Sequence, residues 1–166
     1  MNHVYILLGS NINPNDNIFA AINILDQRIG ISAKSDIWQT KAYGANGPDF
    51  YNIALLLITD LSLKVIKNSY LKNIEHELGR VREKDIYAPR TIDLDVIIFN
   101  ELVVDSNLWT HNFIATPMAQ LLPNLIHPTS GESLNNIAER LNSCSPAKRV
   151  ANRKFQNSKG FDPLDI

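Results

Sequence analysis

Apolar residues crowd the start of the chain. Residues 4–8 form an unbroken run of strand formers closed by Gly9, Ser10 and Asn11, and such a run bounded by turn residues predicts a buried strand. After the turn-prone stretch 13–17 the period changes. Phe19, Ile22 and Leu25, with Ala21 and Ile24, recur at helical spacing from Asp16 until Gly30, which predicts a first helix. Residues 31–40 show a looser strand pattern. A loop holding Tyr43, Gly44, Asn46, Gly47 and Pro48 leads to the strongly apolar strand 50–59, and these two strands are expected to pair antiparallel. Ser62 is a suitable N-cap for a second helix with the apolar stripe Leu63, Ile66, Tyr70, Ile74 and Leu78, terminated by Gly79. A polar, mainly basic loop runs to Pro89. Residues 91–99 carry the strongest strand pattern of the chain, with 102–104 as a short partner beyond a turn at Asn100 and Glu101.

The order strand, helix, strand, strand, helix, strand predicts an α+β domain: a ferredoxin-like split βαβ sheet with helices on one face. Short C-terminal helices are expected to cover an edge or the open face. Thr116 would cap one with Pro117 at its first position, and Ser133 would cap another over 134–141. The polar segment 146–166, punctuated by Gly and Pro, reads as a partly disordered tail, so the expected division is a domain over 1–145 and a tail over 146–166.

Composition narrows the function classes. A chain of 166 residues with 45% hydrophobic content fits one globular domain. Sixteen Lys and Arg against seventeen Asp and Glu leave a net charge of −1, so there is no basic field of the kind that holds nucleic acid non-specifically. Cys144 is the single cysteine and no charged-then-apolar segment opens the chain, which sets a reducing cytoplasmic location as the expectation. No apolar run approaches the roughly 20 residues of a membrane helix, so no membrane partner is expected.

The candidate chemistry lies in the strand that begins Ile92-Asp93-Leu94-Asp95-Val96. Alternate strand positions share a face, so both carboxylates project the same way while Leu94 and Val96 point to the core. Two like charges about 7 Å apart repel unless something positive sits between them, and a divalent cation would do so. Carboxylate oxygens suit a hard cation, and an open site with few protein ligands favours Mg²⁺ that shares its shell with water and phosphate. The alternative is a polar strand face simply solvated. Arg90 just before the strand, with Arg80 and Arg82 in the loop feeding it, adds the guanidinium groups that grip phosphoryl oxygens. The same arginines could instead pair with Asp93, Asp95 and Glu83 in a surface network. A nucleic-acid reading of the sheet wants aromatics and a basic face, and the aspartate pair places negative charge there. His3 and His76 lack a second ligand at metal spacing, His127 before Pro128 reads as a turn residue rather than a catalyst, and Cys144 has no activating partner.

The stretch Tyr87-Ala88-Pro89-Arg90-Thr91-Ile92-Asp93-Leu94-Asp95-Val96-Ile97 resembles the signature of the 6-hydroxymethyl-7,8-dihydropterin pyrophosphokinase family, whose members move pyrophosphate from ATP to a pterin alcohol. The resemblance extends to Leu8-Gly9-Ser10-Asn11, Pro48-Asp49-Phe50-Tyr51-Asn52, Glu75 with Gly79-Arg80-Val81-Arg82, and less closely to Phe113, Pro117 and 125–128. It implies Mg²⁺-dependent pyrophosphoryl transfer in folate biosynthesis, with Asp93 and Asp95 holding two Mg²⁺ ions. It implies Arg80 and Arg90 as catalytic groups, Arg80, Arg82, Arg90 and Tyr87 around the triphosphate, and Glu75 at the ribose. Phe50 and Phe113 would sandwich the pterin, Asn52 would read its edge, and Thr40 and Tyr43 would contact it through backbone groups. The partners implied are small molecules, ATP and a reduced pterin; no nucleic-acid partner is expected, and the chain is expected to act as a monomer. One segment departs from the pattern: residues 100–112 are shorter than the family's counterpart and lack its basic residues and its Val-Pro-His motif. That departure leaves two rivals open, a paralogue acting on another pterin-like alcohol and a non-catalytic pterin- or nucleotide-binding protein.

Overall fold

The computed structural model describes residues 1–44, 47–81 and 88–151. β1 (Asn2–Ser10) lies at the centre of the sheet, antiparallel to β4 (Phe50–Thr59) on one side and β5 (Asp93–Phe99) on the other. β2 (Ala33–Lys34) and β3 (Trp38–Thr40) both pair with β4 and are one edge strand interrupted. Pairing along β2 and along β3 differs in register by one residue, and Ser35 takes up the difference by accepting the Ala54 N–H through its hydroxyl at 2.9 Å. This bulge is why the pattern over 31–40 looked loose. Counting β2 and β3 together, the four principal strands stand in the order fourth, first, third, second, all antiparallel, which is the ferredoxin-like split βαβ sheet expected. β6 (Leu102–Val103) extends one edge and β7 (Lys148–Arg149) the other, so part of the expected tail joins the sheet, while 152–166 lie outside the described residues.

Alternation of side chains divides the core. Val4, Ile6, Leu8, Leu55, Leu57, Leu94 and Val96 face α1 (Pro14–Arg28) and the second helical stretch. Tyr5, Leu7, Ala54, Ile97 and Ile98 face α4 (Asn112–Leu121) and α5 (Leu134–Cys144). The C-terminal helices thus cover the open face. α5 starts where expected, with the Ser133 hydroxyl accepting the Asn136 N–H at 3.3 Å. α4 does not: it begins at Asn112 with His111 as its cap, and Pro117 sits inside it. The expectation of a start at Thr116 and Pro117 is corrected because Ile114, Ala115 and Met118 must all meet the sheet. Their burial outweighs the one backbone bond that an interior proline forgoes.

The second helix also departs from its predicted period. It runs as α2 (Leu63–Val65), widens into a π turn over Ile66–Leu71, and resumes as α3 (Lys72–Glu77). The π turn inserts one residue, so Leu71 rather than Tyr70 follows Ile66 into the core. Nine residues beyond Ile66, Glu75 would stand about 180° around an unbroken α-helix; one inserted residue brings it to about 80°. Glu75 is consequently buried, facing β5.

Candidate functional site

The site is built on the row of residues that crosses the sheet at the end of β1. Gly9 pairs with Asn52 on one side and Asp93 on the other, and Leu7 pairs with Ala54 and Asp95. Because Gly9 carries no side chain, the row is open at its centre. A Cβ there would come to 3.2 Å from Asn52 Oδ1 and 3.8 Å from the Phe50 ring. The result is a cleft of about 170 Å³ lined by Gly9, Asn52, Phe50, Phe113, Asp93 and Asp95, with Leu7, Thr40, Lys41, Tyr43 and Arg90 around them.

One end of the cleft is ionic. Gly79, in the left-handed region at φ 73°, ends α3 with paired bonds from Gly79 N to the His76 carbonyl at 3.0 Å and from Arg80 N to the Glu75 carbonyl at 2.9 Å. That reversal folds Arg80 back onto the helix it leaves, where its guanidinium pairs with both Glu75 and Asp93. Glu75 also accepts the Leu94 N–H at 3.0 Å, tying α3 to the start of β5. Arg90 reaches Asp93 from the opposite side. Its backbone is clamped by the loop after β1: Asn11 Oδ1 accepts the Arg90 N–H at 2.7 Å, and the Arg90 carbonyl accepts from Asn11 and Ile12. The Arg90 guanidinium also lies 5.7 Å from the centre of the Phe50 ring, within cation–π range, so one side chain touches both ends of the cleft.

The surface ion-pair reading is therefore realised in part, by Arg80 and Arg90 on Asp93, yet the network is largely buried, with the Asp93 side chain 19% exposed. Asp95 is different. Water in the concave cleft reaches its carboxylate, and among the described residues nothing donates a hydrogen bond to it. Desolvation by the surrounding protein, together with the negative charges of Asp93 and Glu75, pushes its carboxyl up to about 6. Two carboxylates on one strand face, one of them resisting ionisation, form a donor set that a hard divalent cation would relieve. No group of three His, Cys, Asp or Glu could hold a metal among the described residues, so such a cation would complete its shell with water and ligand oxygens.

The other end is flat and apolar with one amide. Asn52 is buried, and its Nδ2 donates to Thr40 Oγ1 at 2.9 Å, which fixes the amide and leaves Oδ1 beside Gly9. Phe50 comes from β4, Phe113 from the first turn of α4, and Tyr43 from the loop after β3.

A family model for 7,8-dihydro-6-hydroxymethylpterin-pyrophosphokinase (HPPK) matches residues 5–123. The chain belongs to this family. It is 32% identical over 140 residues to the 2-amino-4-hydroxy-6-hydroxymethyldihydropteridine pyrophosphokinase of Aquifex aeolicus, covering 75% of this chain and 83% of that protein. It is 31% identical over 138 residues to the folic acid synthesis protein FOL1 of Dictyostelium discoideum, covering 77% of this chain but 21% of that longer protein. The fold matches the crystal structure of wild-type Plasmodium falciparum HPPK-DHPS with a TM-score of 0.67 at 12% identity, over 86% of this chain and 41% of that one. The chain thus spans most of one curated relative and about a fifth of the other.

Of the residues expected in an HPPK site, Asp93, Asp95, Arg90, Phe50, Asn52, Phe113, Thr40 and Tyr43 line a single cleft. Arg80 reaches it through Asp93. Glu75, expected at the nucleotide ribose, lies beneath Arg80 as a buried brace between α3 and β5. Arg82 and Tyr87 lie outside the described residues. Sequence reasoning missed Gly9 as the residue that opens the floor, and Asn11 as the clamp on Arg90. Both stood in the quoted stretch Leu8-Gly9-Ser10-Asn11, where a polar pair directly after a buried strand was the available signal. His127 is a turn residue as expected, its Nδ1 accepting from the Thr129 and Ser130 N–H groups at 3.1 Å. Among the described residues no helix is long and apolar enough to cross a membrane.

Proposed function

We propose that this chain transfers pyrophosphate from ATP to 6-hydroxymethyl-7,8-dihydropterin, giving AMP and the pterin pyrophosphate. The observation that carries this reading is the joining, in one cleft of an HPPK-family chain, of an aspartate and arginine cluster to an amide flanked by two phenylalanines. The hydroxyl oxygen of the pterin attacks the β-phosphorus, the bond from that phosphorus to the oxygen bridging the α-phosphate breaks, AMP departs with that oxygen, and the hydroxyl proton passes to water. Asn52, held by Thr40, offers hydrogen bonds to the pterin edge while Phe50 and Phe113 hold its faces. Arg80 and Arg90 supply charge to the phosphoryl oxygens where negative charge develops. Asp93 and Asp95 would hold Mg²⁺, expected as two ions. Bound there, Mg²⁺ neutralises phosphate charge and polarises the phosphorus.

In this reading the chain works as a cytoplasmic monomer on small molecules. The test is AMP formation from ATP, Mg²⁺ and the reduced pterin, repeated with the pterin omitted. AMP that depends on the pterin supports the proposal. Pterin binding with no AMP at any ATP concentration would replace it with a binding protein, and no affinity for the pterin would move it to another alcohol.

A further inference from the structure

Three rings meet at the rim of the cleft, and one of them has no part in the reading above. His111, the cap residue of α4, stands 4.4 Å from Tyr43, tilted at 56°, and 5.3 Å from Phe113, edge-on at 80°. Tyr43 and Phe113 are themselves 6.1 Å apart, so the imidazole closes a triangle between the loop after β3 and the start of α4. Its own orientation is fixed by a 2.8 Å hydrogen bond between Nδ1 and Thr110 Oγ1. The loop is fastened at its base as well, where Asp49 receives Lys41 at 3.0 Å and the Gln39 amide at 2.8 Å. Tyr43, 60% exposed, has His111 and Phe113 as its ring neighbours at the rim. Both separations and both angles fall in the range where ring edge meets ring face favourably.

We infer that His111 is a positioning residue for the pterin end of the cleft: it joins Tyr43 to Phe113, so that the loop and the helix present their rings to the substrate as one rim. This rests on the proposed pterin substrate. His111 does not line the cleft itself, and it acts through Phe113 and Tyr43, which do. The requirement is for a flat ring that can turn its edge to one neighbour and its face to another. A phenyl ring satisfies that requirement, and a methyl group does not.

The experiment compares the full-length wild type with His111→Ala and His111→Phe. Calorimetry gives the affinity for 6-hydroxymethyl-7,8-dihydropterin and, separately, for a non-hydrolysable ATP analogue with Mg²⁺. Thermal melts confirm that both variants fold. His111→Ala is expected to weaken pterin binding about tenfold, on the scale of losing two ring contacts. The ATP analogue should stay within about twofold, and the kinetic loss should fall on KM for the pterin rather than on kcat. His111→Phe should recover most of the affinity. In the absence of ligand, the ring-current shift of the Tyr43 ring protons should fall in His111→Ala to the smaller part that Phe113 supplies and persist in His111→Phe. Unchanged pterin affinity in His111→Ala, equal losses for pterin and nucleotide, or no recovery in His111→Phe would each overturn the inference while leaving the activity standing. A wild type with no affinity for the pterin would instead overturn the substrate assignment and, with it, this role.

Discussion

Replacing Asp95 with asparagine should make the protein more stable and inactive at once. The carboxyl titrates near 6 in the folded chain, against about 3.9 for an unfolded aspartate. A raised folded-state value means that ionisation opposes folding. The contribution is fully favourable below pH 4, is lost as pH rises from about 4 to 6, and stays lost above. Two pH units correspond to about 2.7 kcal/mol. Water reaches Asp95 in the cleft, so screening cuts this to about 1 kcal/mol. Asp95→Asn removes the charge and keeps the shape. It should therefore raise stability at pH 8 by about 1 kcal/mol, equivalent to about 2–4 °C in melting temperature for a chain of this size, and change nothing below pH 4. Urea unfolding of both proteins at constant salt from pH 4 to 8 gives the difference directly, and the AMP assay reports the accompanying loss of turnover. A variant destabilised at pH 8, or a difference that does not vary with pH, would refute the assignment of Asp95 as a charge that opposes folding for want of an ion-pair partner.

The remaining predictions concern the cation, the floor, the amide and the altered segment. Mg²⁺ added at pH 8 should raise the melting temperature of the wild type and not that of Asp95→Asn, since a ligand stabilises only the state that binds it; equal shifts would remove Asp95 from the cation site. Gly9→Ala should leave the fold intact and weaken the pterin about fivefold or more, because its Cβ would crowd Asn52 Oδ1 from 3.2 Å; calorimetry with unchanged affinity would contradict this. Thr40→Val should cost about 1–2 kcal/mol in urea unfolding by orphaning the buried Asn52 amide, and it should weaken the pterin more than the nucleotide. The short segment 100–112 predicts weak ATP binding with measurable turnover at high ATP, each missing charge-assisted contact being worth roughly 1.5–3 kcal/mol; tight binding of an ATP analogue would show that other residues replace those contacts.

What was legible in the sequence follows from which forces are local. The strands 50–59 and 91–99 were read to within two residues because their runs of apolar strand formers are the same quantity that buries them. The pairing of Asp93 with Asp95 on one face follows from strand geometry alone. The start of α4 and the π turn were not legible, since both are imposed by packing: Pro117 is carried inside a helix by neighbours that must reach the sheet, and Leu71 displaces Tyr70 because one inserted residue turns Glu75 toward β5. Gly9 was visible as a strand end, but its position between Asn52 and Asp93 is a matter of register across three strands. Such a non-local pairing is beyond any window along the chain.

Asp93 and Asp95 share a strand face but not a charge environment, and the difference follows from the elements around them. Asp93 sits at the edge where the Gly79 reversal delivers Arg80 and the Asn11 clamp delivers Arg90, so its charge is met by two guanidinium groups. Asp95, two residues further in and paired with Leu7, makes no ion pair with either arginine; the charge of Arg80 only partly offsets its desolvation and the repulsion of Asp93 and Glu75, so its carboxyl stays reluctant to ionise. A cation entering the cleft therefore gains most from Asp95, whose repulsion it removes. At Asp93 it competes with arginines already in place. In the proposed reaction, phosphate oxygens would reverse that competition, because guanidinium groups released from Asp93 would find bidentate partners on the nucleotide. Cation and nucleotide would thus each lower the cost of seating the other, with the Asp93 ion pairs coupling them.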